Sequence, residues 1–189
     1  MFSATRMAAL VAVLTLGGSF AIFGGALGPS VDQPGGPLAG ATSPDDPTLA
    51  PAPFEQTVRL KIDRFGVPGE VDGVSQLQGQ VSSYVVESDL DPRLVGQGVF
   101  TFNGAEYLPG VGPVWGTLRF QTEEGAWEGS LSGMARPGQT RLSGWLVGEG
   151  AYEGLSQYRD MIADHSTAET VITGIIIPGD PPVIEPVPD

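Results

Sequence analysis

Gly125-Ala126-Trp127-Glu128-Gly129-Ser130-Leu131-Ser132-Gly133 decides the fold class. Trp127, Gly129, Leu131 and Gly133 fall on one side of an extended chain, with Glu128, Ser130 and Ser132 on the other. Such alternation marks a strand with one face on a core and the other in water. The flanking segments repeat it: Val114, Gly116, Leu118 and Phe120 before, Leu142, Gly144, Leu146 and Gly148 after. Glycine thus alternates with bulk on the inward side, while Arg119, Arg141 and Ser143 join the polar side. Small closed barrels mix small and large interior residues in this way, because glycine relieves crowding where strands bend. The opening phrase also returns, Gly125-Ala126-Trp127-Glu128-Gly129 being matched by Gly150-Ala151-Tyr152-Glu153-Gly154.

Outward from this centre the same period predicts strands over 56–63, 77–87, 94–103, 114–122, 126–134, 140–149, 155–162 and 169–177. In the first, Val58, Leu60 and Ile62 alternate with Thr57, Arg59, Lys61 and Asp63. The second carries Val81, Tyr84, Val85 and Val86, with a change of face expected near Ser82 and Ser83, where a bulge would sit. Residues 66–73 read as turn-rich, Asn103-Gly104 as a turn and 109–113 as a break. Only 156–163 offers an alternative helical reading. The expectation is an all-β domain, an antiparallel β-barrel of about eight strands, with a two-sheet β-sandwich as the alternative.

The ends differ from this centre. Residues 7–28 carry no charge and are rich in Ala, Val, Leu and Phe, so 1–28 reads as a signal peptide or N-terminal membrane anchor. Residues 29–53, dominated by Pro, Gly, Ser, Asp and Ala, read as a disordered spacer, and the Pro-rich 179–189 as a disordered tail. That leaves 54–178 for the barrel. The protein is accordingly expected outside the cytoplasm, secreted or held to a membrane through its N-terminal segment if that is not removed.

A formal net charge of -13 opposes binding to nucleic-acid backbones and anionic lipid surfaces. The sequence has no cysteine, which excludes disulfides, thiolate metal sites and a cysteine nucleophile. One histidine, His165, lies in the polar turn Asp164-His165-Ser166-Thr167. It reads as an exposed loop residue, since no Gly-x-Ser-x-Gly elbow accompanies it and it is too little for a histidine metal site. Glu87, Asp89 and Asp91 have a spacing that calcium could use, but the full calcium-loop pattern is missing, and a solvated turn with Arg93 neutralising one carboxylate is expected instead. Glu128 and Glu153, equivalent in the two phrases, read as solvent-facing rather than as a paired-carboxylate site. No metal or cofactor is expected. Trp115, Trp127, Trp145, Tyr152 and Tyr158 are the candidate ligand-binding residues, because aromatic faces at a barrel mouth supply large contact area.

Gly148-x-Gly150-x-Tyr152-x-Gly154-Leu155, with Trp115-Gly116-Thr117 and Trp127-Glu128-Gly129 before it and Gly174-Ile175-Ile176-Ile177-Pro178-Gly179 after it, resembles a group of uncharacterised bacterial exported proteins. Asp91-Pro92-Arg93-Leu94-Val95-Gly96 resembles a phrase early in the same group. More distantly, the glycine-punctuated strands are similar to the allene oxide cyclase and dirigent barrels. That resemblance implies an eight-stranded antiparallel barrel, and no catalytic residue of those families matches a position here. The function expected is a non-catalytic module binding a small apolar ligand or protein partner through one barrel end. The alternatives are a cyclase- or dirigent-type enzyme acting on a small hydrophobic substrate, or a structural envelope protein.

Overall fold

The alternating segments form ten antiparallel strands in a single curled sheet. The computed structural model describes residues 50–183. The leader 1–28, most of the spacer and the end of the tail lie outside the described residues. The strands are β1 (Ala52–Arg59), β2 (Lys61–Arg64), β3 (Val67–Val71), β4 (Val74–Val86), β5 (Gly96–Glu106), β6 (Gly112–Gln121), β7 (Gly125–Arg136), β8 (Gln139–Gly150), β9 (Leu155–Asp164) and β10 (Glu169–Pro178). Their order in the sheet is β1-β10-β9-β8-β7-β6-β5-β4-β2, with β3 also on β4. Only Leu60 separates β1 from β2, yet β1 pairs with β10 and β2 with β4. One stretch of chain therefore clasps both ends of the sheet and makes it barrel-like. A single sheet is no sandwich.

All eight expected strands occur. The count rises to ten because Leu60 divides the first and because Val67–Val71, read as turn, pairs with Val74–Gln78 as a hairpin. The segment considered for a helix is strand β9. Asn103-Gly104 lies inside β5 rather than in a turn, and the chain reverses at 107–111 instead. β1 begins at Ala52, just inside the segment read as spacer.

The inward face is the one the alternation predicts: Val114, Leu118, Phe120, Trp127, Leu131, Leu142 and Leu146 are all buried. The glycines between them are required by close approach. A Cβ at Gly116 would fall on the carbonyl oxygen of Thr101 in the next strand, so a side chain there would push the two backbones apart. Outside, Arg119 ties Glu128 on β7 to Glu149 on β8, and Arg141 forks onto Asp160 at 2.9 and 2.7 Å. Glu128 is thus solvent-facing, as expected.

One end of the barrel is sealed. A short 3-10 turn, Pro92–Leu94, follows Asp91, whose carboxylate caps it by accepting from the Arg93 amide at 3.0 Å. The same carboxylate binds the Arg93 guanidinium at 2.6 Å. Burial alone would push the Asp91 carboxyl up, but the hydrogen bonds and charge of Arg93 hold it below its usual value. The turn presses Leu94, 1% exposed, into the barrel. Trp127 Nε1 donates to the Arg93 carbonyl at 3.0 Å, and the indole stacks on Tyr152 with centroids 5.0 Å apart. The two copies of the repeated phrase meet here, Gly125 pairing with Gly150. The first copy is extended chain, whereas the second ends β8 and makes the turn into β9, with Gly150 and Gly154 at positive φ.

Candidate functional site

The opposite end of the barrel holds a cavity of about 340 Å³. Leu60, Phe100, Phe102, Leu142, Met161 and Ala163 give it apolar walls, and the turns carrying Pro109, Gly110, Pro137 and Gly138 form its rim. Beside the rim, Tyr107 and Leu108 are exposed. Polar residues in its lining are Gln80, Ser82, Thr140, His165 and Thr170, with the charged Arg136 beside the Pro137-Gly138 turn.

Gln80 and Ser82 face inward because β4 changes face at Gly79, not at Ser82 and Ser83 as the sequence suggested. The pairing with β5 slips between Leu77 and Gln80, and Gly79 takes φ 66°. The Asn103 side chain accepts from the Gly79 amide at 2.9 Å, and Arg64 donates to the Gly79 carbonyl at 3.2 Å. The bulge is therefore held on both sides. Beyond it Gln80, Ser82, Tyr84 and Val86 all point to the core. The Ser82 hydroxyl is buried with no hydrogen-bond partner among the described residues.

His165 departs from its sequence reading. It is half-buried rather than an exposed loop residue, and it lines the cavity. Its Nε2 lies 3.0 Å from Thr140 Oγ1, and its amide donates to the Gly138 carbonyl. Burial lowers its pKa, with the neighbouring Asp164 carboxylate opposing, so the neutral ring is favoured.

Beyond the cavity floor lies a charge inside the barrel. Arg159 on β9 is 0% exposed. Its Nε donates to Gln157 Oε1 and its Nη1 to the Tyr84 hydroxyl, both at 2.5 Å. The guanidinium carbon lies 4.7 Å from the centroid of Phe120 and 5.9 Å from that of Phe54. Gly144 and Gly174 are its partners on the two adjacent strands, and at Gly174 a Cβ would meet the Phe54 ring. Gly174 thus makes room for the ring beside the guanidinium. No carboxylate among the described residues pairs with Arg159. Among the described residues, its Nη2 and the amide nitrogen of Gln157 have no hydrogen-bond partner. Burial raises the pKa of the Tyr84 phenol, and Arg159 offsets only part of this, so the phenol stays protonated.

None of the five aromatic residues proposed from sequence lines this cavity. Trp127 and Tyr152 belong to the sealed end, where Tyr152 also bonds Thr122 at 2.7 Å. Trp145 and Tyr158 are cross-strand partners on the outer face, rings 5.3 Å apart, and Trp115 is 42% exposed on that face. Glu87, Asp89 and Asp91 stay at the sealed end, where Asp89 accepts from Gln56 at 2.8 Å. Among the described residues no cluster of carboxylates and histidine is arranged to hold a metal. Parity along β9 could have found Arg159, which shares the face of Leu155 and Met161. Comparison with protein-family models and with curated proteins gives no match.

Proposed function

We propose that the domain is a non-catalytic binding module, working outside the cytoplasm, that takes up a small, largely apolar ligand through the open end of its barrel. The cavity carries this reading: about 340 Å³, mostly apolar walls and a few polar groups at defined places, which is the usual constitution of a small-molecule site. The uncharged stretch at 7–28 supports export. A direct test uses the uncharged fluorophore N-phenyl-1-naphthylamine. Saturable uptake is expected in the native protein, and Met161→Trp, which puts an indole into the cavity, should abolish it while the melting temperature is kept. Equal uptake by both proteins would refute the reading.

A cyclase- or dirigent-type enzyme is the second reading, favoured by one observation, the buried arginine hydrogen-bonded to a phenol beneath an apolar cavity. Such an enzyme would return its bound compound changed in connectivity or handedness. Recovery of every bound compound unaltered would count against it.

A further inference from the structure

Arginine keeps its proton in proteins, so Arg159 brings a full positive charge into the barrel. Taking an ion out of water costs several kcal/mol even after relaxation, and buried charges are normally paired. Here the partners are a neutral amide, a protonated phenol and two ring faces. All are weaker than a carboxylate. The Gln157 amide orientation is decided by chemistry, because the guanidinium only donates and the amide oxygen must face it. That leaves the Gln157 nitrogen as a second spare donor in addition to Arg159 Nη2, and both are fully buried.

Neither Arg159 nor Gln157 lines the cavity, but both sit next to residues that do. Phe102, which lines it, lies in the same hydrogen-bonded row as Arg159, through Gly116, Leu131 and Gly144. Met161, also in the wall, is the next inward residue of β9, ~7 Å along the strand. A thioether side chain adapts readily to a neighbour. Resting on the cavity's role as a ligand site, we propose that the ligand is a carboxylate-bearing amphiphile, its apolar part in the mouth and its carboxylate held by Arg159 Nη2 and Gln157 Nε2. The ligand then supplies the counter-charge that the protein withholds. The chain's net charge of -13 gives no help in drawing in an anion, so selectivity must come from the cationic and donor groups of the site itself, Arg159 in the interior and Arg136 in the lining of the cavity.

The test is calorimetric titration of the full-length protein with decanoate, decan-1-ol and acetate at neutral pH. Decanoate is expected to bind about ten-fold or more tightly than decanol, as a charge-assisted pair requires, and acetate far more weakly than decanoate. Arg159→Met should cut decanoate affinity to that of decanol, whereas Arg159→Lys should retain part of the advantage. Equal binding of acid and alcohol by the native protein would overturn the charge assignment and leave the cavity reading standing. Acetate binding as tightly as decanoate would also overturn it, by making the ligand a free small anion. If neither long-chain compound binds, the cavity reading falls and this one with it. The native comparison needs no variant, so a misfolded Arg159→Met cannot shield the proposal.

Discussion

The two ends of the barrel are built from the same strands and finished in opposite ways. At one end Leu94, Trp127 and Tyr152 fill the interior, and the indole N–H is satisfied by the Arg93 carbonyl. At the other, the layer of Ala135, Thr140, Ala163 and Thr170 is too small to close the gap, and a cavity remains. Arg159 sits between them with part of its hydrogen bonding unmet. The difference teaches that tight packing and open space are divided along the axis. The sealed end holds the fold, and the open end gives up packing for space.

Three changes would break or sharpen that division. The largest effect is expected at the sealed end, where Trp127→Ala removes a fully buried indole, its stack on Tyr152 and its hydrogen bond. A loss of about 3–5 kcal/mol should appear in urea unfolding; a loss under about 1 kcal/mol, within the range of surface changes, would mean that this end is no keystone. Next comes Arg159→Met, with the opposite sign. Replacing a buried, incompletely compensated charge by an apolar group of similar length should leave the unliganded protein as stable or more stable, by up to about 4 kcal/mol. A clear loss of stability would show that the guanidinium supports the fold itself.

The smallest effect belongs to pH. The folded-state pKa of His165 lies below its unfolded value of about 6.5, so in that window the native state holds fewer protons than the unfolded one. The contribution of His165 to stability is therefore constant above the window and declines as pH falls through it. Melting temperatures from pH 7.5 to 5.5 should show this shallow decline in the native protein and a flatter profile in His165→Asn. Identical profiles would place the ring in water in practice.

Alternation made the inward face of β6, β7 and β8 legible down to single residues, because glycine and bulk share that face while charged residues keep to the other. In the structure the same parity puts Trp115 outside, next to inward Gly116, and Tyr158 outside, between inward Gln157 and Arg159. Aromatic bulk did not point to the cavity, since it is equally useful as a plug and as cross-strand cover. The cavity's polar lining was hidden for two reasons. The slip at Gly79 reverses the parity of β4, and a local sequence pattern does not reveal which of several glycines takes a positive φ. Arg159 and Gln157 were hidden because hydrophilicity argues for the outside, and only the strand period argues against it. Nothing local in the sequence marks Pro92–Leu94 as a plug; that role depends on Leu94 joining the core, where its carbonyl accepts from Gln56, 38 residues earlier on β1.

The clasp made by β1 and β2 has a consequence for how the chain arrives at its shape. Arg59 on the first strand is joined to Glu169 on the last, 110 residues apart, and the neighbouring stretch is joined to β4. A chain that emerges from its N-terminus, from a ribosome or through an export pore, presents its first strand long before the partner exists. Closure must wait until β10 has emerged, and contacts so distant in sequence slow it further. Until then, one lone edge is open to whatever other strand it meets, so crowding during refolding should trade monomer yield for aggregates.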